Sequence, residues 1–299
     1  MSPDNTLPPP EPADRATPPP HILPGADDSQ CLPPAGQPLP LVTIATVTYN
    51  AADTLERTLK SVAGQDYTRI EHLIVDGCST DATLSMVQRY VAGNTRATHP
   101  HLIRLICEHD QGLYDAMNKA ILNATGEYII FLNAGDCLHS GSTISQAIAT
   151  ARWHKGDPRN PAVIYGETDL VDAQGHFLRH RRLSAPGRLT SRSFLGGMLV
   201  CHQSFYARTD LARQTLYDLR YRFSADYDWC IRLMRLAERR RLRMENTHTV
   251  LTDYLSEGMT TRNHKASLVE RLHIMAHHYG WMHAMAAHAW FIVRAVAMK

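Results

Sequence analysis

A carboxylate at the end of an apolar segment is the first candidate for chemistry in this chain. Residues 128–132 (YIIFL) predict a buried strand, which is followed by Asn133-Ala134-Gly135-Asp136. In an open α/β sheet, ligands bind beyond the carboxyl ends of the strands, where an aspartate can bind a metal ion or a phosphate. Aspartate also forms turns that do no more than end a strand. Asp136 is therefore a candidate ligand, and a polar turn is the alternative.

The elements that would position Asp136 alternate between strand and helix. Apolar and β-branched residues predict four strands, at residues 41–49, 70–75, 102–107 and 128–132. Apolar residues at helical spacing predict three intervening helices, at residues 53–63, 81–91 and 113–123. This order predicts a parallel sheet with right-handed crossovers and helices on both faces. Polar residues follow each predicted strand, so a binding site is expected at that edge of the sheet.

The second half of the chain is less regular. Residues 163–171 and 176–181 predict a hairpin, and residues 198–206 predict a further strand or a strand-like loop. A strong helix is expected over residues 225–241 and a last strand over residues 250–255. From about residue 265 the chain is expected to be helical to its end.

Composition excludes several classes of protein. The 299 residues are 44% hydrophobic and 20% charged, which is ordinary for a globular chain, and residues 1–40 predict a disordered, proline-rich leader. A net charge of +2 is too balanced to predict nucleic-acid binding. The six cysteines show no CxxC spacing, so neither a zinc site nor a redox dithiol is expected. Neither a signal peptide nor a transmembrane run is found. A cytoplasmic, reducing compartment fits best.

Two phosphate-binding motifs, GxGxxG and GxxxxGK[ST], are absent. Six other segments occur in the order of the GT-A fold of family 2 glycosyltransferases: VTIATVTYNAADTLERTLKSVAGQDY (42–67), EHLIVDGCSTDAT (71–83), EHDQGLYDAMNKAI (108–121), GEYIIFLNAGD (126–136), CHQSFYAR (201–208) and FSADYDWCIRL (223–233). The chain resembles this family over residues 41–264, and most closely its branch for colanic acid and other bacterial surface polysaccharides. The resemblance implies an α/β fold with a Rossmann-like, mostly parallel sheet and helices on both faces. The resemblance also implies a division of the chain into a nucleotide-sugar half (41–137), a smaller acceptor half (138–264) and a C-terminal helical segment (265–299).

The resemblance also implies roles for individual residues. The donor-binding positions are Thr48, Tyr49, Asn50, Asp53, Asp76, Gly112, Asp115, Asn118 and Asn133. The positions on the acceptor or phosphate side are His202, Gln203 and Arg262. Asp136 occupies the last position of the family's Asp-x-Asp-Asp motif and would bind Mg²⁺ or Mn²⁺, with His264 as a further ligand. Asp226 matches the catalytic aspartate, the general base for the acceptor hydroxyl.

Three features leave alternatives open. Asp226 could instead cap the helix that it opens, and Asp228 competes with it as the base. The metal motif has lost two carboxylates, so metal binding is expected to be weaker, or Asn133 contacts ribose rather than metal. The basic cluster at residues 179–182 fits a solvated face, anionic lipid headgroups or a lipid-diphosphate acceptor. His202 could equally be a satisfied core histidine.

The expected activity is therefore an inverting, metal-dependent transfer of one sugar from a UDP-, GDP- or dTDP-sugar to a glycan or lipid-linked acceptor. The protein would be peripheral at the inner face of the plasma membrane. Residues 281–299 would lie in the membrane interface, pack on the domain, or contact a second subunit in a homodimer. The alternatives are a degenerate carbohydrate- or nucleotide-binding protein without transferase activity and, lower in rank, a sugar-nucleotide pyrophosphorylase.

Overall fold

The computed structural model describes residues 39–256 and 264–297, without the side chains of residues 264, 265, 292 and 294–297. Residues 1–38 of the expected leader, the loop 257–263 and residues 298–299 lie outside the described residues. The candidate ligand Arg262 falls in that loop, and His264 is described only through its backbone.

The first half forms the predicted parallel sheet. Its strands are β1 (Val42–Thr48), β2 (Ile70–Asp76), β3 (Leu102–Cys107) and β4 (Tyr128–Phe131). The intervening helices are α1 (Ala52–Ala63), α2 (Thr83–Asn94) and α3 (Leu113–Asn123). The strands lie side by side in the order β3-β2-β1-β4, and every pairing among them is parallel. Strands β1, β2 and β4 are buried along their whole length, which explains their continuous apolar runs.

The second half extends the same sheet. Its elements are β5 (Cys137–Leu138), α4 (Thr143–Ala151), β6 (Val163–Val171), β7 (Phe177–His180), β8 (Phe205–Arg208), α5 (Thr209–Ala212), α6 (Ala225–Arg239) and β9 (Met244–Leu255). The sheet continues from β4 as β8-β6-β9-β5, with β7 paired to β6. Strands β6 and β9 are parallel, whereas the β4–β8, β8–β6, β6–β7 and β9–β5 pairs are antiparallel.

Two expectations for the second half need correction. Residues 198–206 were expected to form a strand or a strand-like loop. They contain a 3-10 turn, His202–Ser204, and strand β8 begins only at Phe205, so His202 and Gln203 lie before the strand. The last strand begins at Met244 rather than at residue 250, because its first residues pair with the start of β6. Polar and charged residues at that end of β9 hide its strand character from the sequence pattern.

The C-terminal segment forms two helices, α7 (His264–Tyr279) and α8 (Trp281–Ala297). Gly280 separates them with a φ of 85°, a left-handed conformation that glycine adopts without steric cost. Ala284 of α8 is buried in the main core, and Phe291 packs against that core. In the described part of the chain, no helix combines the length and the apolarity needed to cross a bilayer.

An aromatic cluster fixes α6 against the sheet. Trp229 of α6 is fully buried and stacks on Tyr217 at a ring separation of 4.9 Å. Its ring also meets Phe131 of β4 and Phe205 of β8 edge to face. Aromatic pairs of this geometry add to the free energy of apolar burial. The cluster therefore determines where the first turn of α6, which carries Asp226, lies relative to β4.

Candidate active site

A cavity of about 1040 Å³ opens beyond the carboxyl ends of β1 and β4. This is the edge at which a parallel sheet binds ligands. Asp136, one residue before β5, and Asp226, in the first turn of α6, both line it. The structure thus brings together two aspartates that are 90 positions apart in the chain (226 − 136). The other expected site residues in its wall are Thr48, Tyr49, Asn50, Gly112, Asn133, His202 and Gln203.

Asp136 is buried, and its carboxylate is held from two sides. The backbone N–H of Leu255 donates to Oδ1 at 3.0 Å, and Nε2 of Gln203 donates to Oδ2 at 2.9 Å. Burial raises the pKa of Asp136 from 3.8 to about 6, against the lowering effect of these two hydrogen bonds. A carboxylate that is buried although burial disfavours its ionised form is typical of a functional group rather than of a turn.

Asn133 supplies a second oxygen beside Asp136 in the same wall. Its Oδ1 is buried and has no hydrogen-bond partner among the described residues. A buried amide oxygen without a partner is costly unless a ligand satisfies it. Carboxylate and amide oxygens are the ligands that Mg²⁺ and Mn²⁺ accept, so Asp136 and Asn133 fit a divalent cation.

Asp226 is held ready to accept a proton. Nδ1 of His202 lies 3.3 Å from Oδ2, and the Tyr114 hydroxyl donates to Oδ1 at 3.3 Å. Burial disfavours the ionised carboxylate, but the hydrogen bond from His202 and the charge of Arg271 outweigh it. They hold the pKa of Asp226 below its ordinary value. Ser224 is the N-cap of α6, and Asp226 lies inside the first turn, so the capping role is not the one that Asp226 plays.

His202 links the two sides of the cavity. Its Nε2 lies 3.5 Å from Nδ2 of Asn133, an atom that only donates hydrogen bonds. Nε2 therefore accepts, and the ring proton sits on Nδ1, facing Asp226. This arrangement orients the Asp226 carboxylate and favours its ionised form.

Replacing His202 with alanine is expected to raise the pKa of Asp226. The acid limb of the pH profile of kcat/KM should move to higher pH, because the base is active only when ionised. Activity at the wild-type optimum should fall about tenfold, the order of one charge-assisted hydrogen bond. His202→Asn places an amide N–H near the position of Nδ1 and should restore part of the profile.

The exposed histidine His277 provides the control, since its alanine variant should keep the wild-type profile. An unchanged acid limb in His202→Ala would contradict a positioning role for His202.

The donor side of the cavity is shaped by two backbone features. Asn50 has a φ of 48°, and its Oδ1 accepts the N–H of Thr80 at 2.9 Å, which fixes the loop after β1. Tyr49 is 66% exposed at the rim of the cavity, a position in which an aromatic ring can stack on a base. Gly112, with a φ of 116°, places the N-terminus of α3 at the cavity, where its N–H groups can face an anion.

Four expected donor-binding residues do not line the cavity. Asp76 is fully buried and accepts hydrogen bonds from Thr48 and Ser79, which tie together the loops after β1 and β2. The Asn118 amide is occupied by both backbone groups of Tyr217. Asp115 accepts the Gln111 N–H at the start of α3, and Asp53 is exposed on α1. Asp76, Asn118 and Asp115 therefore make structural contacts. The donor-binding roles of all four residues stay predictions.

Asp228, the competing base, is occupied elsewhere. Arg232 donates to its Oδ2 at 2.6 Å, and Nε2 of His278 lies 2.7 Å from its Oδ1. Asp228 does not line the cavity, and its contact with His278 joins α6 to α7. The geometry therefore favours Asp226.

The cavity wall also contains basic residues that the sequence reasoning did not assign to the site. Arg271 of α7 lines the wall, and its Nε is buried without a hydrogen-bond partner among the described residues. Arg179, Arg181 and Arg182 line another part. The basic cluster at residues 179–182, Arg-His-Arg-Arg, was the available signal for that part, whereas nothing in the sequence sets Arg271 apart from other helix arginines.

Comparison with known proteins identifies the family. Residues 43–213, more than half of the chain, match the family described as Glycosyl transferase family 2. The chain belongs to this family. An uncharacterized glycosyltransferase of Mycobacterium tuberculosis is 33% identical over 202 residues, which cover 67% of this chain and 71% of that protein. A PGL/p-HBAD biosynthesis glycosyltransferase of Mycobacterium bovis is 32% identical over 197 residues, 64% of this chain and 69% of that one.

Solved structures show the same fold. S. aureus TarS in complex with UDP-GlcNAc matches 86% of this chain and 73% of its own with a TM-score of 0.61 at 17% identity. The mannosyltransferase PcManGT of Pyrobaculum calidifontis, in complex with GDP-Man and Mn²⁺, matches 92% of this chain and 79% of its own with a TM-score of 0.54 at 18% identity. The expectation of a family 2 glycosyltransferase with a GT-A fold is therefore confirmed.

Proposed function

We propose that this family 2 glycosyltransferase transfers one sugar from a nucleotide-sugar donor to a glycan or lipid-linked acceptor in the synthesis of a surface polysaccharide, with inversion at the anomeric carbon. The observation that carries the proposal is the presence of Asp136 and Asp226 in one cavity. A relative of this chain is named for PGL/p-HBAD biosynthesis, and a second, Bacillus subtilis TuaG, is named for teichuronic acid biosynthesis. Both names support an acceptor of the cell surface.

The donor side divides into base and diphosphate positions. The base would lie at the exposed ring of Tyr49, and the N-terminus of α3 at Gly112 would face the diphosphate. Asp136 and Asn133 would hold Mg²⁺ or Mn²⁺, which when bound stabilises negative charge on a departing diphosphate. The buried Nε of Arg271 offers a further donor to an anion in the cavity.

Asp226 would act on the acceptor. A sugar hydroxyl is a poor nucleophile until its proton is removed, and an ionised carboxylate within hydrogen-bond reach can remove it. The acceptor oxygen then bonds to the anomeric carbon as the bond from that carbon to the diphosphate oxygen breaks. The proton passes to Asp226, the diphosphate leaves with the bonding electrons, and in-line displacement inverts the configuration. His202 keeps the base oriented and ionised before the acceptor binds.

A thermal-shift screen of UDP-, GDP- and dTDP-sugars with Mn²⁺ tests the proposal. A ligand that binds the native state raises the melting temperature, by an amount that corresponds to about 2.7 kcal/mol at 100 times its Kd. We expect one nucleotide class to stabilise the protein when Mn²⁺ is present and to lose most of that effect with EDTA. Stabilisation without metal dependence, together with no turnover on any acceptor, would favour a degenerate binding protein instead.

We also propose that α8 binds the cytoplasmic face of the plasma membrane. Its outward face exposes Trp281, Met282, Met285, Trp290 and Val293. Residues 281–299 contain one arginine, one lysine and no acidic residue, which complements an anionic bilayer.

Vesicles that contain anionic phospholipid should therefore bind the wild type and should bind the double variant Trp281→Ser, Trp290→Ser at least about tenfold more weakly, since each indole contributes interfacial apolar area. Leu122→Ser, which removes an exposed apolar side chain on α3, provides the matched control. Equal vesicle binding by all three proteins would contradict the proposal, and a dimer that the double variant dissociates would assign the face to a second subunit.

A further inference from the structure

A group of side chains of the types that ligate metal ions lies outside the donor cavity. His139, Asp169 and Asp253 each present a ligand atom, and these atoms lie within 4.8 Å of one another. Nδ1 of His139 is 2.7 Å from Oδ1 of Asp253, and Nδ1 of His180 is 2.7 Å from Oδ1 of Asp169. None of these four residues lines the cavity described above.

The sheet register places these residues in one row. Asp169 of β6 pairs directly with Asp253 of β9, and His180 of β7 pairs with Asp169 on its other side. His139 follows β5, whose Leu138 pairs with Thr252 of β9. The row therefore crosses four strands in the order β7-β6-β9-β5.

The row lies on the sheet face opposite the donor cavity. Leu170 and Tyr254, the next residues along β6 and β9, both line the cavity. Because successive side chains of a strand point to opposite faces, Asp169 and Asp253 point away from it. Their group of side chains is therefore separate from Asp136.

The charges of the row are unbalanced. Like charges directly opposite each other on paired strands are destabilising, and Asp169 and Asp253 are such a pair. The Asp169 side chain is only 7% exposed, so water screens its charge poorly. Among the described residues, no lysine or arginine forms an ion pair with either carboxylate, and a histidine is the partner of each.

We propose that His139, Asp169 and Asp253 bind a divalent transition-metal ion of the Zn²⁺ class. One imidazole with two carboxylates forms a donor set that Zn²⁺ accepts at about 2.0–2.2 Å from each ligand. His139 is 43% exposed and can rotate to close the site around the ion. Its ring proton then resides on Nε2, so that Nδ1 faces the metal.

The ion would connect the strands that support Asp136. Asp136 directly precedes β5, and its Oδ1 accepts the N–H of Leu255, two residues after Asp253. A metal ion that holds β5, β6 and β9 together would therefore stabilise this part of the wall. Its role is structural, and it does not depend on whether the donor cavity binds a cation.

Calorimetric titration of the full chain with Zn²⁺ tests the site. The background is Asp136→Asn, which removes the cavity ligand. In that background we expect one tight Zn²⁺ site, and Co²⁺ should give the absorption of a bound ion. Adding Asp253→Asn or His139→Ala should weaken Zn²⁺ binding by more than about 100-fold, since even loss of a residue that supports a metal ligand costs about 10- to 100-fold.

His176→Ala is the matched control, because His176 and Asp172 form a similar pair, 3.2 Å apart, on the same hairpin. That variant should bind Zn²⁺ as tightly as its parent. Circular dichroism establishes that each variant is folded, and the exposed His139 gives the variant with the smallest risk of unfolding. Absence of Zn²⁺ binding in the Asp136→Asn background, or equal affinity in the Asp253→Asn and His176→Ala variants, would overturn the proposal.

Discussion

Replacing Asp226 with asparagine is expected to lower turnover by about 10²- to 10⁴-fold, the usual contribution of a general base. Asparagine is nearly isosteric and can keep the contacts with Tyr114 and His202, but it cannot accept a proton from the acceptor. Donor affinity should stay within a few-fold of the wild type, because Asp226 faces the acceptor side. Steady-state rates and calorimetric titration with the donor, measured on the same preparation, check both parts.

Asp228→Asn is the matched control for this experiment. Asp228 lies on the same helix turn, but Arg232 and His278 occupy its carboxylate outside the cavity. The Asp228→Asn variant should keep most of the turnover. It should be less stable than the wild type, because Arg232 and His278 lose the buried carboxylate that accepts their hydrogen bonds. Full activity in Asp226→Asn with loss of activity in Asp228→Asn would reverse the two assignments.

Replacing Asp136 with asparagine is expected to stabilise the ligand-free protein while it abolishes metal-dependent donor binding. Burial raises the pKa of Asp136 from 3.8 to about 6, a shift that corresponds to about 3 kcal/mol. The folded state therefore binds the proton more tightly than the unfolded state. Stability from this group is present below pH 3.8 and is lost as the pH rises through about 6. Asparagine, which does not titrate, should thus gain about 1–3 kcal/mol at pH 8 and nothing at pH 3.5.

Urea unfolding at several pH values measures that gain, and donor titration with Mn²⁺ measures the loss of function. We expect donor affinity to fall about 100-fold, to the level seen with EDTA, since Asp136 is the carboxylate ligand of the proposed site. Gln203→Leu, which removes a hydrogen bond to Asp136, should raise the pKa of Asp136 further and should not mimic the stabilisation at pH 8. A variant of Asp136 that is destabilised at pH 8 and still binds the donor with Mn²⁺ would contradict the assignment.

The parallel half of the fold follows from the sequence because each of its strands is a short apolar run between helical patterns. Strand β3 and helix α3 occupy the residues that the pattern predicted. Asp136 was recognisable for the same reason, since it directly follows such a run. In the second half, β9 begins with polar residues and pairs with a strand about 80 positions earlier, as Met244 does with Val163. Pairing over that separation leaves no local signal.

The site residues, too, could be predicted only where a local sequence pattern marks them. The roles given to Asp76 and Asn118 came from their positions in motifs, and the structure shows that local hydrogen bonds occupy both side chains. Arg271 reaches the cavity only because α7 packs beside α6, and Ser224 and Glu270 join these helices through hydrogen bonds. Such contacts are tertiary, so they cannot be predicted from residue type or spacing.

The most direct test is a structure of the protein with Mn²⁺ and a non-transferable analogue of its donor. The account predicts that the ion contacts the carboxylate of Asp136 and that the anomeric carbon of the sugar faces the carboxylate of Asp226 across the same cavity. A nucleotide bound outside this cavity, or an ion held without Asp136, would contradict it.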